Sequence, residues 1–139
     1  MLRVPDVADK AYDALAADAT LTTLLGGTSK VYSHVPEDVA PPYVIVLGGR
    51  EAPWARETND ESTREVDVDA DVWSNYRGTK EVDDLGHQVA TTLLAHASWS
   101  SLSGYAGVLF VESPRPIQEL IEGVLWVRRR VTVRVYLGS

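Results

Sequence analysis

The most constraining feature of this sequence is a strict alternation of apolar and acidic residues between positions 65 and 72. The apolar set is Val66, Val68, Ala70 and Val72, and the acidic set is Glu65, Asp67, Asp69 and Asp71. Successive side chains of a β-strand point to opposite faces of its sheet. The segment therefore predicts a strand with one face in a core and the other in water.

The closing segment, residues 124–137, has the same period of two. Its apolar face would carry Val127, Val131, Val133, Val135 and Leu137, and its other face Trp126, Arg128, Arg130, Thr132, Arg134 and Tyr136. Arg129 breaks the alternation, which indicates either a β-bulge or a strand whose one half extends beyond the covering helices. Glu122 and Gly123 predict a hairpin turn at the start of this strand.

Helical spacing of apolar residues predicts one helix over residues 4–18 and another from the N-cap Thr79 to about Ala97. Between them, Thr20 is expected to be the N-cap of a short helical turn through Leu21, Leu24 and Leu25. Further strands are expected at residues 43–47 and 108–112, and extended pieces at 30–33 and 117–120. The predicted fold class is α+β. We expect one domain over residues 1–139, a two-layer sandwich in which two helices cover one face of a mainly antiparallel sheet of about four strands. Residues 48–63 are expected to form a long exposed loop.

The charge of the chain is concentrated in two segments. The formal net charge is −7, and residues 51–71 contain eight acids and two bases, whereas residues 128–134 contain four arginines and no acid. An acidic balance disfavours binding to a nucleic-acid backbone. The absence of cysteine excludes disulfides and thiolate chemistry, and the lack of a run of about 18 apolar residues predicts no membrane span.

The acidic and arginine rows have three interpretations. They pair as a ladder within one subunit, they meet across a head-to-tail interface between subunits, or the acids line a channel that carries a polyanion. The interface hypothesis predicts that Arg130→Glu impairs self-association more than folding and that Asp69→Arg partly restores it. Trp54, at the tip of the loop, either contacts a partner or folds back onto the sheet edge. The candidate interface residues are Trp54, Arg56, Glu57, Glu65, Asp67, Asp69, Asp71, Arg128, Arg130 and Arg134.

No catalytic, cofactor or metal motif stands out in the sequence. His87 follows Asp83 by four residues on a predicted helix, but no nucleophile motif accompanies this pair, so an ordinary helix-surface contact is favoured. We therefore predict no enzyme, no cofactor and no metal. The alternative from another functional class is a small ligand-binding or hydrolase domain, which would need an enclosed cavity beside these two residues.

The order of the segments resembles the small tail-completion proteins of long-tailed bacteriophages. These are tail terminators or tail-to-head joining proteins, which also occur in prophages and gene transfer agents. The resemblance covers about residues 7–137. Its most specific parts are Ala-Asp-Ala-x-Leu at 17–21, Pro-Pro-Tyr at 41–43 and Asp-Val-Trp-Ser at 71–74.

This resemblance implies a non-enzymatic virion protein at the head–tail junction, assembled in the bacterial host cytoplasm. Family members form a ring, typically of six subunits, that caps the tail tube and joins it to the head connector. The implied partners are further copies of the chain, the tail tube protein and the connector or stopper protein. DNA would pass through the lumen without specific binding. The alternative within this class is a head-closure or connector protein.

Overall fold

The computed structural model describes residues 4–52, 64–76, 78–102 and 104–138. Its helices are α1 (Val4–Ala17), α2 (Ala19–Leu24) and α3 (Lys80–Leu94), followed by a 3-10 turn at His96–Ser98. Its strands are β1 (Val31–Tyr32), β2 (Tyr43–Ala52), β3 (Arg64–Ser74), β4 (Tyr105–Glu112), β5 (Ile117–Ile121) and β6 (Val124–Leu137).

The strands form one mixed sheet in the order β1-β2-β3-β6-β4, and β5 also pairs with β6. β1 is parallel to β2, and the remaining pairs are antiparallel. One edge of β6 pairs with β3 over its residues 127–137. Its other edge pairs with β5 over residues 124–128 and with β4 over residues 132–137. The long strand β6 is therefore an interior strand between β3 and β4 at one end and half of a hairpin with β5 at the other.

The core lies between one face of the sheet and the helices. The alternating valines of β3 and β6 are buried on this face, as predicted, and they meet the apolar stripes of α1 and α3, which include Val7, Ala11, Leu15, Val82, Leu85, Val89 and Leu93. Removing such side chains from water is the main favourable term in folding. The predicted α+β class with helices on one face is confirmed.

The details of the fold differ from the expectation of four antiparallel strands and two helices. The predicted helical turn is a third helix, α2, and its N-cap is Asp18 rather than Thr20, because the Asp18 carboxylate accepts a hydrogen bond from the Leu21 backbone N–H at 2.8 Å. The sheet is mixed because β1 pairs in parallel with β2. The predicted loop is also too long at its start, since β2 continues through Ala52 after a register shift between Gly48 and Glu51.

Of the two expectations for the break in alternation at Arg129, the bulge is wrong, and the less buried half-strand is correct in part, since residues 124–130 of β6 are less buried than residues 131–137. The pairing of β6 with β3 runs without a register shift, so there is no bulge between these two strands and Arg129 does point toward the helices. Its guanidinium forms an ion pair with Asp83 of α3 at 2.5 Å and donates to the Ser113 hydroxyl at 2.7 Å. Gly86 of α3 leaves room for it, because a Cβ at this position would lie 3.3 Å from Arg129 Cδ.

Candidate functional site

The acidic and arginine rows lie side by side on the face of the sheet that the helices do not cover, which we call the open face. In the β3–β6 register, Asp67 is opposite Arg134, Asp69 is opposite Thr132, and Asp71 is opposite Arg130. We call this arrangement the acid–arginine ladder, with members Asp67, Asp69, Asp71, Arg128, Arg130 and Arg134.

Two rungs of the ladder are two-point contacts. Arg134 donates from Nε and Nη2 to the two oxygens of Asp67 at 2.7 and 3.2 Å, and Arg130 contacts Asp71 in the same way at 2.7 and 3.1 Å. Bidentate arginine–carboxylate pairs are stronger and more directional than single hydrogen bonds. The hydrogen bonds that both arginines donate to these carboxylates raise the pKa of Arg130 and of Arg134, which favours their charged forms.

The remaining contacts link the rungs to one another. Asp69 accepts a hydrogen bond from the Thr132 hydroxyl at 2.7 Å and lies 3.7 Å from Arg130. The Asp71 carboxylate also lies 4.0 Å from the guanidinium of Arg128. Only 6% of Asp67 and 4% of Asp71 is exposed. Charges withdrawn from water to this degree depend on their partners, because a buried charge without one is strongly destabilising.

Sequence reasoning missed two members of this network. Arg50 of β2 lies 3.7 Å from Asp67, and Thr132 is the hydroxyl that satisfies Asp69. Arg50 lay within the predicted loop, and the two glycines before it hide the alternation of β2. The alternation placed Thr132 on the correct face of β6, but its pairing with Asp69 depends on the register between β3 and β6, which the sequence does not give.

This geometry bears on the first interpretation of the two rows. The rows pair within one subunit, which is the ladder interpretation. A head-to-tail interface is not needed to neutralise the acids. The carboxylates of Glu65, Asp67, Asp69 and Asp71 have four guanidinium groups near them, those of Arg50, Arg128, Arg130 and Arg134, which offsets the repulsion within the acidic row.

An aromatic row lies beside the ladder on the same face. Its rings follow one another in the order Trp73, Trp126, Tyr43, Tyr32 and His34, and successive neighbours have centroids 6.0 to 6.4 Å apart. Such separations with tilted or edge-to-face rings are favourable. The Arg128 guanidinium stands 5.5 Å from the centroid of the Trp73 ring. The Nε1 of Trp73 is buried and finds no hydrogen-bond partner within the described ranges.

The pair that sequence reasoning considered for catalysis is engaged otherwise. Asp83 binds Arg129, and His87 is exposed on the surface of α3. In the described part of the chain, no group of three or more His, Asp or Glu side chains could hold a metal ion.

A cleft of about 350 Å³ at the end of the ladder is lined by side chains of both charges, namely Arg50, Glu51, Glu65, Asp67 and Arg134, together with Ala52. Paired carboxylates and guanidiniums do not offer the free acid and base that hydrolysis requires.

The predicted interface residues divide into two groups. Glu65, Asp67, Asp69, Asp71, Arg128, Arg130 and Arg134 share the open face. Trp54, Arg56 and Glu57 lie outside the described residues.

In the described ranges of the chain, no helix combines the length and the apolar character that crossing a membrane requires.

The fold has a counterpart among solved structures. A chain in a structure titled "Virion of native gene transfer agent (GTA) particle" matches with a TM-score of 0.68 and 21% sequence identity, over 96% of this chain and 95% of that chain. At this identity the likeness shows a shared fold. No curated protein sequence matches the chain significantly.

A family model matches residues 10–132, which is most of the chain, and it defines the class of protein as a structural component of the phage tail. The model is that of tail completion protein gp17, and the chain belongs to this family. The resemblance read from the sequence is thereby confirmed. The family consists of structural virion proteins, which are generally not enzymes.

Proposed function

We propose that this protein is a tail terminator. Its copies form a ring, typically of six subunits, that caps the tail tube and joins it to the head connector at the head–tail junction. The observation that carries the proposal is the family match over residues 10–132. The fold shared with a chain of a gene transfer agent particle, over nearly the full length of both chains, supports it.

The ladder suits a subunit of this kind because it fixes the geometry of the sheet. A ring closes only if every subunit presents its two contact surfaces at the same angle. Bidentate pairs across β3 and β6 hold the two central strands in register. We propose that the ladder residues and Glu65 also contribute to subunit or partner contacts through their exposed atoms, as do Trp54, Arg56 and Glu57.

The same face is compatible with passage of DNA through a lumen without specific binding. Nucleic-acid binding needs lysine or arginine side chains that can replace counterions at phosphates. Each ladder arginine lies within 4.0 Å of a carboxylate of the same subunit. An open face that lines the lumen would therefore offer DNA neither an uncompensated positive stripe nor a negative wall.

The decisive experiment is deletion of the gene from the phage or particle that encodes it, followed by electron microscopy. We expect tails of uncontrolled length, or tails that do not join heads, and recovery of normal particles when the wild-type gene is supplied in trans. Normal, joined tails in the deletion would overturn the proposal. The purified chain is expected to bind isolated tails. Binding to DNA-filled heads instead would favour a head-closure or connector role.

A further inference from the structure

Exposed apolar side chains are concentrated on one edge of the sheet. Six of the large hydrophobic residues that are exposed within the described ranges belong to β4, β5 and the first residue of β6, and they are Leu109, Phe110, Ile117, Leu120, Ile121 and Val124. Leu120 is 75% exposed. Together these residues present on the order of 500 Å² of surface along this edge. The register places Leu109, Ile117 and Ile121 on the open face and Phe110 and Leu120 on the helix side, so the edge is apolar on both of its faces.

The β5–β6 hairpin, residues 117–128, carries most of this surface beyond the body of the sheet. β6 joins β3 only from Val127 onward, so the tip of the hairpin has no neighbour on the β3 side among the described strands. All five residues of β5 are exposed. Edge strands usually carry bulges, prolines or lysines that discourage pairing. β5 has none of these, since its sequence is IQELI and its register with β6 is regular.

The opposite edge of the sheet carries a smaller apolar surface at the same end. β1 is only two residues long and pairs with Val44 and Ile45 near the start of β2. Val35, just after β1, is 70% exposed, and His34 next to it is exposed at the end of the aromatic row. We call Tyr32, His34 and Val35 the β1 edge. The register connects the two edges, because Tyr43 is opposite Trp73, Trp73 is opposite Arg128, and Arg128 is opposite Ile117.

The charges on this surface favour a protein partner over an anionic one. Residues 117–124 contain Glu119 and Glu122 and no lysine or arginine, which does not suit nucleic acid or acidic lipid. Exposed charges of opposite sign also lie on the two edges. The Arg50 side chain, 3.7 Å from Asp67, is 89% exposed on β2 beyond β1, and Glu112 is exposed on β4 at the other edge, outside the hairpin. Complementary surfaces on opposite edges are what a head-to-tail contact between identical subunits requires.

We propose that the hairpin of one copy packs against the β1 edge of a second copy. Repetition of this contact joins the apolar hairpins and aromatic rows of successive subunits into one band. The inference rests on the proposed function, because it names the surfaces through which the ring closes. A symmetric contact between two hairpins is the competing arrangement. Antiparallel pairing of two β5 strands about their middle residue would place two Glu119 carboxylates opposite each other, which is unfavourable.

The absence of cysteine from the natural sequence allows a direct crosslinking test. The double variant Val35→Cys/Leu120→Cys is built into the full chain and treated with a short bismaleimide crosslinker, both in purified tails and in concentrated solution. We expect a ladder of dimers, trimers and higher species under denaturing conditions. Each single variant, which has only one reactive edge, is the matched control and should give at most dimers.

The outcomes separate the contact from the proposed function. Efficient dimers from Leu120→Cys alone would overturn the head-to-tail contact in favour of hairpin pairing. No ladder in tails of normal length would overturn the contact and leave the tail-terminator role intact. Normal tails after gene deletion would instead overturn that role. If the double variant does not fold, His34→Cys/Ile121→Cys tests the same contact with different side chains.

Discussion

Strand β6 passes through two different environments, and the contrast between them separates folding from assembly. Over residues 127–137 it is paired with β3, its valines are buried, and its arginines are engaged by carboxylates. Over residues 124–126 it pairs, among the described strands, with β5 alone, and the hairpin they form exposes Ile117, Leu120, Ile121 and Val124, whereas Leu125 and Trp126 are half-buried. Charged groups are thus withdrawn from water in one region, and apolar groups are left in water in the other.

This inversion indicates what each region does. A buried charge costs free energy unless it is paired, so the ladder rungs depend on one another within the subunit. An exposed apolar patch contributes little to the subunit's own stability and is typical of a surface that meets a partner. Substitutions in the ladder should therefore lower the free energy of unfolding. Substitutions in the hairpin should lower self-association.

The largest expected effect is that of Arg130→Glu. A glutamate here faces Asp71 and Asp69 and, among the described residues, leaves only the more distant Arg128, at 4.0 Å, as a cation beside Asp71. We therefore expect the free energy of unfolding to fall by about 2–4 kcal/mol, at the lower end if solvent screens the partly exposed site. Urea denaturation followed by circular dichroism measures it. Arg115→Glu, on an exposed loop, is the control and should change stability by about 0.5 kcal/mol or less.

The same variant tests the earlier expectation that Arg130→Glu acts mainly on self-association. The pairing of Arg130 with Asp71 inside one subunit reverses that order, because loss of a contact within the fold must appear in stability first. Unchanged stability together with a lost oligomer would show that the between-subunit role of Arg130 dominates. Asp69→Arg added to this variant should recover part of the lost stability, since it returns a cation to the site.

A smaller effect is expected from the coupling between Asp67 and Arg134. A double-mutant cycle with Asp67→Asn and Arg134→Met should give a coupling free energy of about 1–2 kcal/mol, because the pair is bidentate and its carboxylate is nearly buried. The exposed pair Lys80–Asp84, spaced i,i+4 on α3, is the matched control and should couple by about 0.5 kcal/mol or less. Equal coupling in both pairs would contradict the special role of the ladder.

Strands β3 and β6 and the turn before β6 could be predicted from the sequence because they depend on the alternation and the turn residues of short segments. The alternation at 65–72 located β3, and the segment from Val124 to Leu137 was predicted with its observed bounds. The turn at Glu122 and Gly123 was also correct, and both residues have positive φ. The two-residue β1 was not assignable as a strand of a mixed sheet, because its existence depends on pairing with β2 rather than on its own composition.

For a related reason, the sequence predicted which residues form the candidate site but not which of them pair. Alternation showed which side chains share the open face, but the partner of each depends on the register between two strands distant in sequence. Arg129 was ambiguous because its partner Asp83 comes from α3, which strand periodicity does not describe. Likewise, the apolar residues of 117–124 fit a hairpin, but nothing in their spacing says whether another element covers them.

A minor effect is expected at high pH from Tyr43, in the middle of the aromatic row between Trp126 and Tyr32. Burial raises the pKa of the Tyr43 hydroxyl, so the folded state favours the neutral form. The stability that Tyr43 contributes is full below about pH 10 and is lost as the pH rises through its pKa in the folded state. Tyr43→Phe should flatten this part of the stability–pH curve, measured by thermal unfolding. The exposed Tyr12→Phe is the control, and an identical flattening there would contradict the assignment.

The smallest expected effect on stability is that of Leu120→Ser, and it is the sharpest test of the contrast along β6. Because Leu120 is already 75% exposed, its removal should change the free energy of unfolding by about 0.5 kcal/mol or less. Val127→Ser, seven residues further on and fully buried, should cost about 2 kcal/mol or more, since it opens a cavity and buries a hydroxyl. Analytical ultracentrifugation should show weaker self-association for Leu120→Ser than for the wild type. Val127→Ser, to the extent that it folds, should self-associate as the wild type does. If Leu120→Ser lowered stability as much as Val127→Ser, the hairpin would belong to the core of the subunit rather than to its contact surface.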